Sequence, residues 1–178
     1  YYNNTIKPKG LLTINWVRVP QTSSLFNAQR SYALYDNKSR LVREFTNNYL
    51  GGYTQIDRQL EVITGRVNYT LKTHKRLSSS AVITVRDDFT YTNQDRLLKQ
   101  TNKINSLPTQ LLYKNTFNEL GNIISKNIGG TDVSGSIGLQ KVDFTYNIRG
   151  WLKTINDVNN LTQGTDPLDL FSFDINYN

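Results

Sequence analysis

One spacing recurs along this chain and limits what it can fold into. A bulky residue is followed four positions later by a turn-former and six positions later by an aliphatic residue. Tyr146, Gly150 and Leu152 fit it in YNIRGWL, and Phe117, Gly121 and Ile123 in FNELGNI. So do Tyr91, Asp95 and Leu97 in YTNQDRL, and Tyr35, Ser39 and Leu41 in YDNKSRL. Looser copies are Glu61, Gly65 and Val67 in EVITGRV, and Ile6, Gly10 and Leu12 in IKPKGLL. The leading positions 6, 35, 61, 91, 117 and 146 stand 29, 26, 30, 26 and 29 residues apart, and Tyr177, 31 after Tyr146, opens a seventh copy. An internal repeat of this length is one supersecondary unit used again and again.

The stretch VDFTYNIRGWLKTI, residues 142 to 155, says what that unit is. Val142, Phe144 and Tyr146 share one side of an extended chain, and Asp143 and Thr145 share the other, the period of a half-buried strand. Asn147, Ile148, Arg149 and Gly150 interrupt it before Trp151, Leu152 and Ile155 resume burial. Glycine at the tip supplies the positive φ of a tight turn, so each copy reads as a β-hairpin. A lone hairpin cannot bury its apolar face, and neighbours must stack edge to edge. The expected fold is all-β, with successive β-hairpin repeats forming a curved antiparallel sheet strip. The competing reading is a sandwich or barrel whose evenly spaced strands imitate a repeat.

Along the chain, residues 1–30 are expected to hold a first strand around LLTINWVRV, ended by Pro20, and the connection QTSSLFNAQ. Residues 31–155 hold the hairpins, and residues 156–178 a polar connection, NDVNNLTQGTDP, and the strand LFSFDINY. A turn is expected at Pro108, and SLFNAQRSY has room for one short helix. The apolar fraction is a modest 37%, as befits a one-layer sheet with a wet face. The chain begins at Tyr1, has no methionine, and stops as a new repeat opens, which is expected of a fragment.

The motifs YDNKSRL, YTNQDRL, FNELGNI and YNIRGWL, with residues 47–67 and the run from YNIRGWLKTINDVNNL to DLFSFDINYN, resemble the YD or RHS repeats of large bacterial surface and toxin proteins. The resemblance spans nearly the whole chain. It departs from the usual pattern where Thr92 follows Tyr91 and where Glu61 replaces the aromatic. It implies a segment of a larger β-shell that encloses or presents a C-terminal payload such as a toxin, in a protein secreted or held at the bacterial surface. The implied partners are adjacent YD repeats of the same chain, an enclosed C-terminal domain, and outer-membrane secretion machinery, the type nine route included. Asp166, Pro167 and Asp169 in TDPLDLF are similar to an Asp-Pro element of the family's self-cleaving core, but the surrounding glycines are missing and a turn is expected there.

Other function classes find little support. Zero cysteines exclude disulfides and thiolate metal sites, and no apolar run is long enough for a membrane helix, so no membrane insertion is expected. The sequons at Asn3, Asn37, Asn68 and Asn160 are accidental in so Asn- and Thr-rich a chain. A net charge of +7, densest in KTHKR at residues 72–76, raises nucleic acid as a partner. The charge is spread along the repeats, though, and Arg40, Arg96 and Arg149 are expected as solvated tip residues, so no nucleic acid is expected. His74 is the only histidine and sits among Lys72, Lys75 and Arg76, where positive charge opposes protonation. SSSA, residues 78–81, reads as a connection, and Asp87 and Asp88 as solvent-facing residues ahead of a strand. NDVNN, residues 156–160, spaces oxygens as calcium loops do but lacks the later glycine and glutamate. No catalytic residue, metal or cofactor is expected, and the chain reads as a non-enzyme. Two roles remain: a shell segment, in which Phe89, Tyr91, Phe117, Phe144, Tyr146 and Trp151 are mostly buried, or an adhesin for carbohydrate or a cell-surface partner, in which several of them stand exposed in a row.

Overall fold

The computed structural model describes residues 8–18 and 28–177. Among them are twelve β-strands and no helix, and the hydrogen-bonded order of the strands follows the chain order, neighbour beside neighbour. The all-β strip of successive antiparallel hairpins is what forms, and the sandwich and barrel alternatives fall away. The chain divides into two compact units, residues 1–88 with 104–106, and residues 89–103 with 107–178.

In the first unit, Ile14–Arg18 (β1), Ala28–Tyr35 (β2), Leu41–Asn47 (β3), Gly51–Leu60 (β4) and Val67–Leu77 (β5) lie side by side with Ile83–Tyr91 (β6), which enters the second unit at Phe89. The second unit continues with Leu97–Ile104 (β7), Gln110–Phe117 (β8), Ile123–Ile128 (β9), Gln140–Tyr146 (β10), Leu152–Ile155 (β11) and Phe173–Asp174 (β12). The residues that pair across these strands are rich in Thr, Tyr, Val and Ile, whose branched or flat side chains suit a pleated surface. Tyr32, Phe45 and Tyr53 from β2, β3 and β4 stack with ring centroids 4.8 and 5.5 Å apart.

The sheet has almost no conventional core. Among the described residues only Ala28 and Leu111 are fully buried apolar residues, each about 1% exposed, and Thr101, Asn115, Asn156 and Asp169 are buried polar ones. Cohesion comes from the backbone ladder and from cross-strand pairs. The ion pair of Arg43 with Asp57 joins directly opposite residues of β3 and β4, and Arg58 reaches Glu44 at 2.5 Å on the other face. The Leu111 amide donates to the Gly130 carbonyl at 2.8 Å at the start of the β9–β10 loop, which is held further on by Lys99 Nζ donating to the Val133 carbonyl at 2.9 Å, Lys114 Nζ to Ser134 at 3.2 Å and Asn127 Nδ2 to Gly135 at 2.9 Å. These three anchors are direct neighbours on β7, β8 and β9.

Several expectations change. The aromatics singled out above are not mostly buried: Phe89, Tyr91, Phe117, Phe144 and Tyr146 are half-buried and Trp151 is 47% exposed, because one layer has nothing above it to cover a ring completely. Residues 28–32 of the candidate helix belong to β2, where pairing with β1 and β3 overrides local preference, and residues 24–27 lie outside the described ones, as do Pro20 and Ile6. Asp87 and Asp88 sit inside β6 rather than before a strand, and Asp88 is held by Arg86 at 2.7 Å. The closing strand is shorter than LFSFDINY suggests, reduced to Phe173–Asp174.

Candidate functional site

The repeat positions come together at the hairpin tips, where one turn is built again and again. Tyr35 pairs with Leu41, Phe117 with Ile123 and Tyr146 with Leu152. The residue after the leading one caps the turn. The Asp36 amide donates to the Arg40 carbonyl at 2.9 Å, the Ser39 amide to the Asp36 carbonyl at 3.0 Å, and Asp36 Oδ1 accepts the amides of Lys38 and Arg40 at 2.9 Å. Asn147 repeats this with Arg149 and Trp151 at 2.9 and 3.0 Å, Thr92 with Gln94 and Arg96 at 3.2 Å, and Asn118 with Asn122 at 2.9 Å. A short side-chain oxygen thus closes a loop that the backbone alone would leave with unpaired amides. Each loop needs one residue at positive φ, filled by Ser39 (59°), Asp95 (63°), Gly121 (89°) and Gly150 (77°). Burial pushes the Asp36 carboxyl up, but the bonds from Arg40 and the Lys38 amide outweigh it and leave it below its usual range.

The EVITGRV copy is corrected by one residue. Leu60, not Glu61, pairs with Val67, and Glu61 is the cap of a loop one residue longer. Its longer side chain spans the difference: Oε2 accepts the amides of Ile63 at 3.0 Å and Thr64 at 2.6 Å and the Thr64 hydroxyl at 2.7 Å. The Thr64 and Ile63 amides hold its carboxyl down at about 2. The same turn also occurs where the spacing did not point. Asn48 Oδ1 accepts the amides of Leu50 and Gly52 at 3.0 and 2.9 Å, Gly51 takes φ 79°, and Asn47 pairs with Tyr53 at the opposite end of the strands. The signal was there in NNYLGGY, with Asn three residues ahead of a glycine, but its leading residue is Asn rather than an aromatic.

Two further contacts recur between neighbouring repeats. At three copies the leading tyrosine's hydroxyl donates to the carbonyl of the aliphatic position in the preceding copy: Tyr35 to Leu12 at 2.9 Å, Tyr146 to Ile123 at 2.8 Å and Tyr177 to Leu152 at 2.6 Å. Tyr177 therefore occupies a leading position, and its ring lies 5.3 Å from that of Trp151. Burial raises the Tyr146 phenol, which keeps the donor proton in place. The second contact runs forward from the residue just before the aliphatic. Arg40 bonds Asp36 at 2.7 Å and reaches the Glu61 carbonyl of the next tip at 3.0 Å. Arg96 lies over the Phe117 ring at 5.8 Å, and a Cβ on Gly121 would stand 2.3 Å from its Cζ. Arg40 and Arg96 are thus half-buried links between tips rather than solvated residues, whereas Arg149 is exposed beside Trp151.

A second signal went unread. The pairing register slips by one residue at four of these tips, between Leu34 and Tyr35, Gln59 and Leu60, Thr116 and Phe117, and Thr145 and Tyr146. The extra residues are Val42, Asn68, Ile124 and Lys153, and two of them double the aliphatic, as LV and II. A bulge at that point sharpens the twist into the tip.

Elsewhere the chemistry-bearing residues serve the sheet. His74 Nδ1 lies 2.8 Å from Thr54 Oγ1, its cross-strand partner. Asn156, in NDVNN, has φ 54°, accepts the Asp143 amide at 2.8 Å and donates to the Phe171 carbonyl at 2.7 Å, so its side chain closes the β10–β11 pairing. Asn105 does the same for β6 with the Thr84 amide at 2.8 Å. In TDPLDLF, Asp166 closes a turn with Gln163 and bonds Lys141 at 2.9 Å. Burial raises the Asp169 carboxyl, and Asp143 and Asp166 add to it. The first unit carries a cavity of about 380 Å³ lined by Leu34, Val42, Tyr69, Leu71 and the Arg43–Asp57 pair. Among the described residues no cluster of His, Cys, Asp or Glu is arranged to hold a metal ion. No protein-family model matches this chain, and no curated protein does so.

Proposed function

We propose that this chain is a structural segment of a YD/RHS-type repeat strip, built to form the wall of a larger shell that encloses or presents a payload, with no catalytic role of its own. The observation that carries the reading is the hook to the preceding copy made by three of the leading tyrosines, Tyr35, Tyr146 and Tyr177. A link that recurs from copy to copy suits a strip assembled by repetition, in which each unit is stabilised by its neighbours. The near absence of a buried apolar core agrees with a wall whose role is to be extended rather than thick. The adjacent repeats, a payload domain and an export apparatus are the partners of this reading, and a secreted or surface location follows from it.

The chain has no cysteine, so single cysteines report cleanly on the two faces. Gln55 and Thr73 are opposite one another across β4 and β5 and share one face; Ile56 and Lys72 share the other. In the intact secreted protein, a wall requires that cysteines on one of these faces resist a bulky thiol reagent while those on the other react. Equal labelling of both faces in the native protein removes the enclosing role.

An adhesin role is the second reading, and the exposed rings of Trp151 and Tyr177, 5.3 Å apart, favour it, since exposed aromatic rings offer an apolar surface with a polar handle. Binding to immobilised glycans that is lost on Trp151→Ala would support that role; wild-type protein that binds none of them counts against it.

A further inference from the structure

The cavity of about 380 Å³ in the first unit lies within β2 to β5, each of which is paired on both sides. Leu34, Arg43, Asp57 and Leu71 stand opposite one another in turn across those strands, and Gln59 and Tyr69 form the next pair on the same face. Two of the register slips described above shape it. Val42 is the extra residue beside Arg43, and Asn68 the one beside Tyr69. A bulge bends its strand and re-aims the side chains next to it, so Val42 joins Arg43 in the wall. The volume is that of a small-molecule site.

Its chemistry is lopsided. Leu34, Val42 and Leu71 give it an apolar wall. The carboxylate that lines it is already engaged: Asp57 accepts Arg43 Nε on one oxygen and Gln55 Nε2, at 2.6 Å, on the other. The donors are not. Of the Arg43 guanidinium only Nε is bonded among the described residues, and neither the Tyr69 hydroxyl nor the Gln59 amide makes a hydrogen bond there. Arg86 adds a second cation beside Tyr69. Its Cζ lies 4.3 Å from the ring centroid while Asp88 holds it at 2.7 Å, which fixes the ring in place. Half-buried donors next to an apolar wall are best met by an anionic acceptor carried on an apolar body.

We infer that this cavity binds a small carboxylate with an apolar body. The Nη groups of Arg43, with the Tyr69 hydroxyl and the Gln59 amide, receive the carboxylate oxygens, and Leu34, Val42 and Leu71 receive the body. A cationic ligand would meet Arg43 and Arg86 and find only a carboxylate that is already engaged. A neutral ligand would leave the guanidinium without a charged acceptor, which Arg binds best. The first unit's excess of +7 points the same way, since it draws anions towards this face. The inference does not depend on whether the strip encloses a payload.

The test compares three probes that share one body and differ in head group: phenylacetate, phenylethanol and phenylethylamine. Methyl resonances of Leu34, Val42 and Leu71, followed by NMR in the whole chain, report occupancy. Phenylacetate is expected to shift them saturably. The alcohol is expected to bind about tenfold more weakly, the loss of one charge-assisted bond, and the amine not to bind. Arg43→Gln is expected to abolish the preference for acid over alcohol. Circular dichroism identifies any form that fails to fold. For that case Arg43→Lys keeps a cation for Asp57 but removes the planar fork, and it is expected to weaken phenylacetate severalfold while leaving the alcohol's affinity as it was. No saturable shift with phenylacetate at about 10 mM, where even a millimolar Kd shows, overturns the inference. So does equal binding of acid and alcohol, which makes the cavity merely apolar, or tighter binding of the amine. A folded Arg43→Gln or Arg43→Lys form that binds phenylacetate as wild type does overturns it as well.

Discussion

Glycines 51 and 52 look interchangeable in NNYLGGY, yet they do different things. Gly51 is at positive φ, whereas Gly52 is not; a Cβ there would stand 2.1 Å from the Arg76 carbonyl oxygen, a backbone atom that cannot swing aside. Gly52→Ala is therefore expected to cost more than about 2 kcal/mol, and denaturant midpoints read it directly. The opposite holds at Ser39, whose φ of 59° is strained for a residue with a side chain. Ser39→Gly is expected to raise stability by roughly 0.5–1 kcal/mol, the relief of left-handed strain less the extra chain entropy. Glu61 gives a pH signature. Its carboxyl is held down at about 2 in the folded chain against an ordinary 4.5, so its contribution is present above 4.5 and lost as pH falls from there towards 2. Urea midpoints of wild type should decline faster over that window than those of Glu61→Gln, and parallel curves would refute the role assigned to the cap.

Hairpins are held to one another by few but repeated links, so single links should be measurable. Tyr146→Phe keeps the ring and removes only the donor to Ile123. It is expected to cost about 0.5–1.5 kcal/mol, with hydrogen exchange accelerating at the tips of β8–β9 and β10–β11 and little elsewhere. The β9–β10 loop offers a second test. Lys99 and Lys114 are like charges directly opposite each other, tolerated because each ammonium is taken by a loop carbonyl. Replacing both with Ala should release the loop while leaving the ladder intact. The reading is limited proteolysis, with cleavage between residues 131 and 137 rising severalfold; unchanged cleavage would show that the loop holds itself, through the Asp132 carboxylate that caps Ser134, Ser136 and Ile137.

At the scale of the molecule, charge divides where the fold does. The first unit holds the entire excess of +7 and the second is balanced. Self-repulsion weakens a compact state and salt relieves it. Raising ionic strength should therefore slow amide exchange in β1 to β5 more than in β8 to β12. Equal slowing in the two units would mean that the local pairs, such as Arg43 with Asp57 and Arg86 with Asp88, already cancel the excess.

Much of this was legible in the residues alone. The spacing from Tyr35 to Leu41, or from Tyr146 to Leu152, marks the tips because a turn's demands are local: a cap oxygen, a positive φ and a returning aliphatic all fall within seven residues of one another. Hairpin repetition followed from the same facts, since a single hairpin cannot bury its own face. The one-residue slip at Glu61 was hidden, because glutamate fits the spacing but its role depends on which residue the facing strand presents. Tertiary structure alone decided what depends on distance across strands. It turned Arg40 and Arg96 from tip charges into links between tips, sent the tyrosine hydroxyls to carbonyls 23 to 25 residues away, and placed Asn48, Asn105 and Asn156 where pairing would otherwise end. Local conformational preference is written in neighbouring residues; which side chain meets which carbonyl is set only once the strands have taken their register.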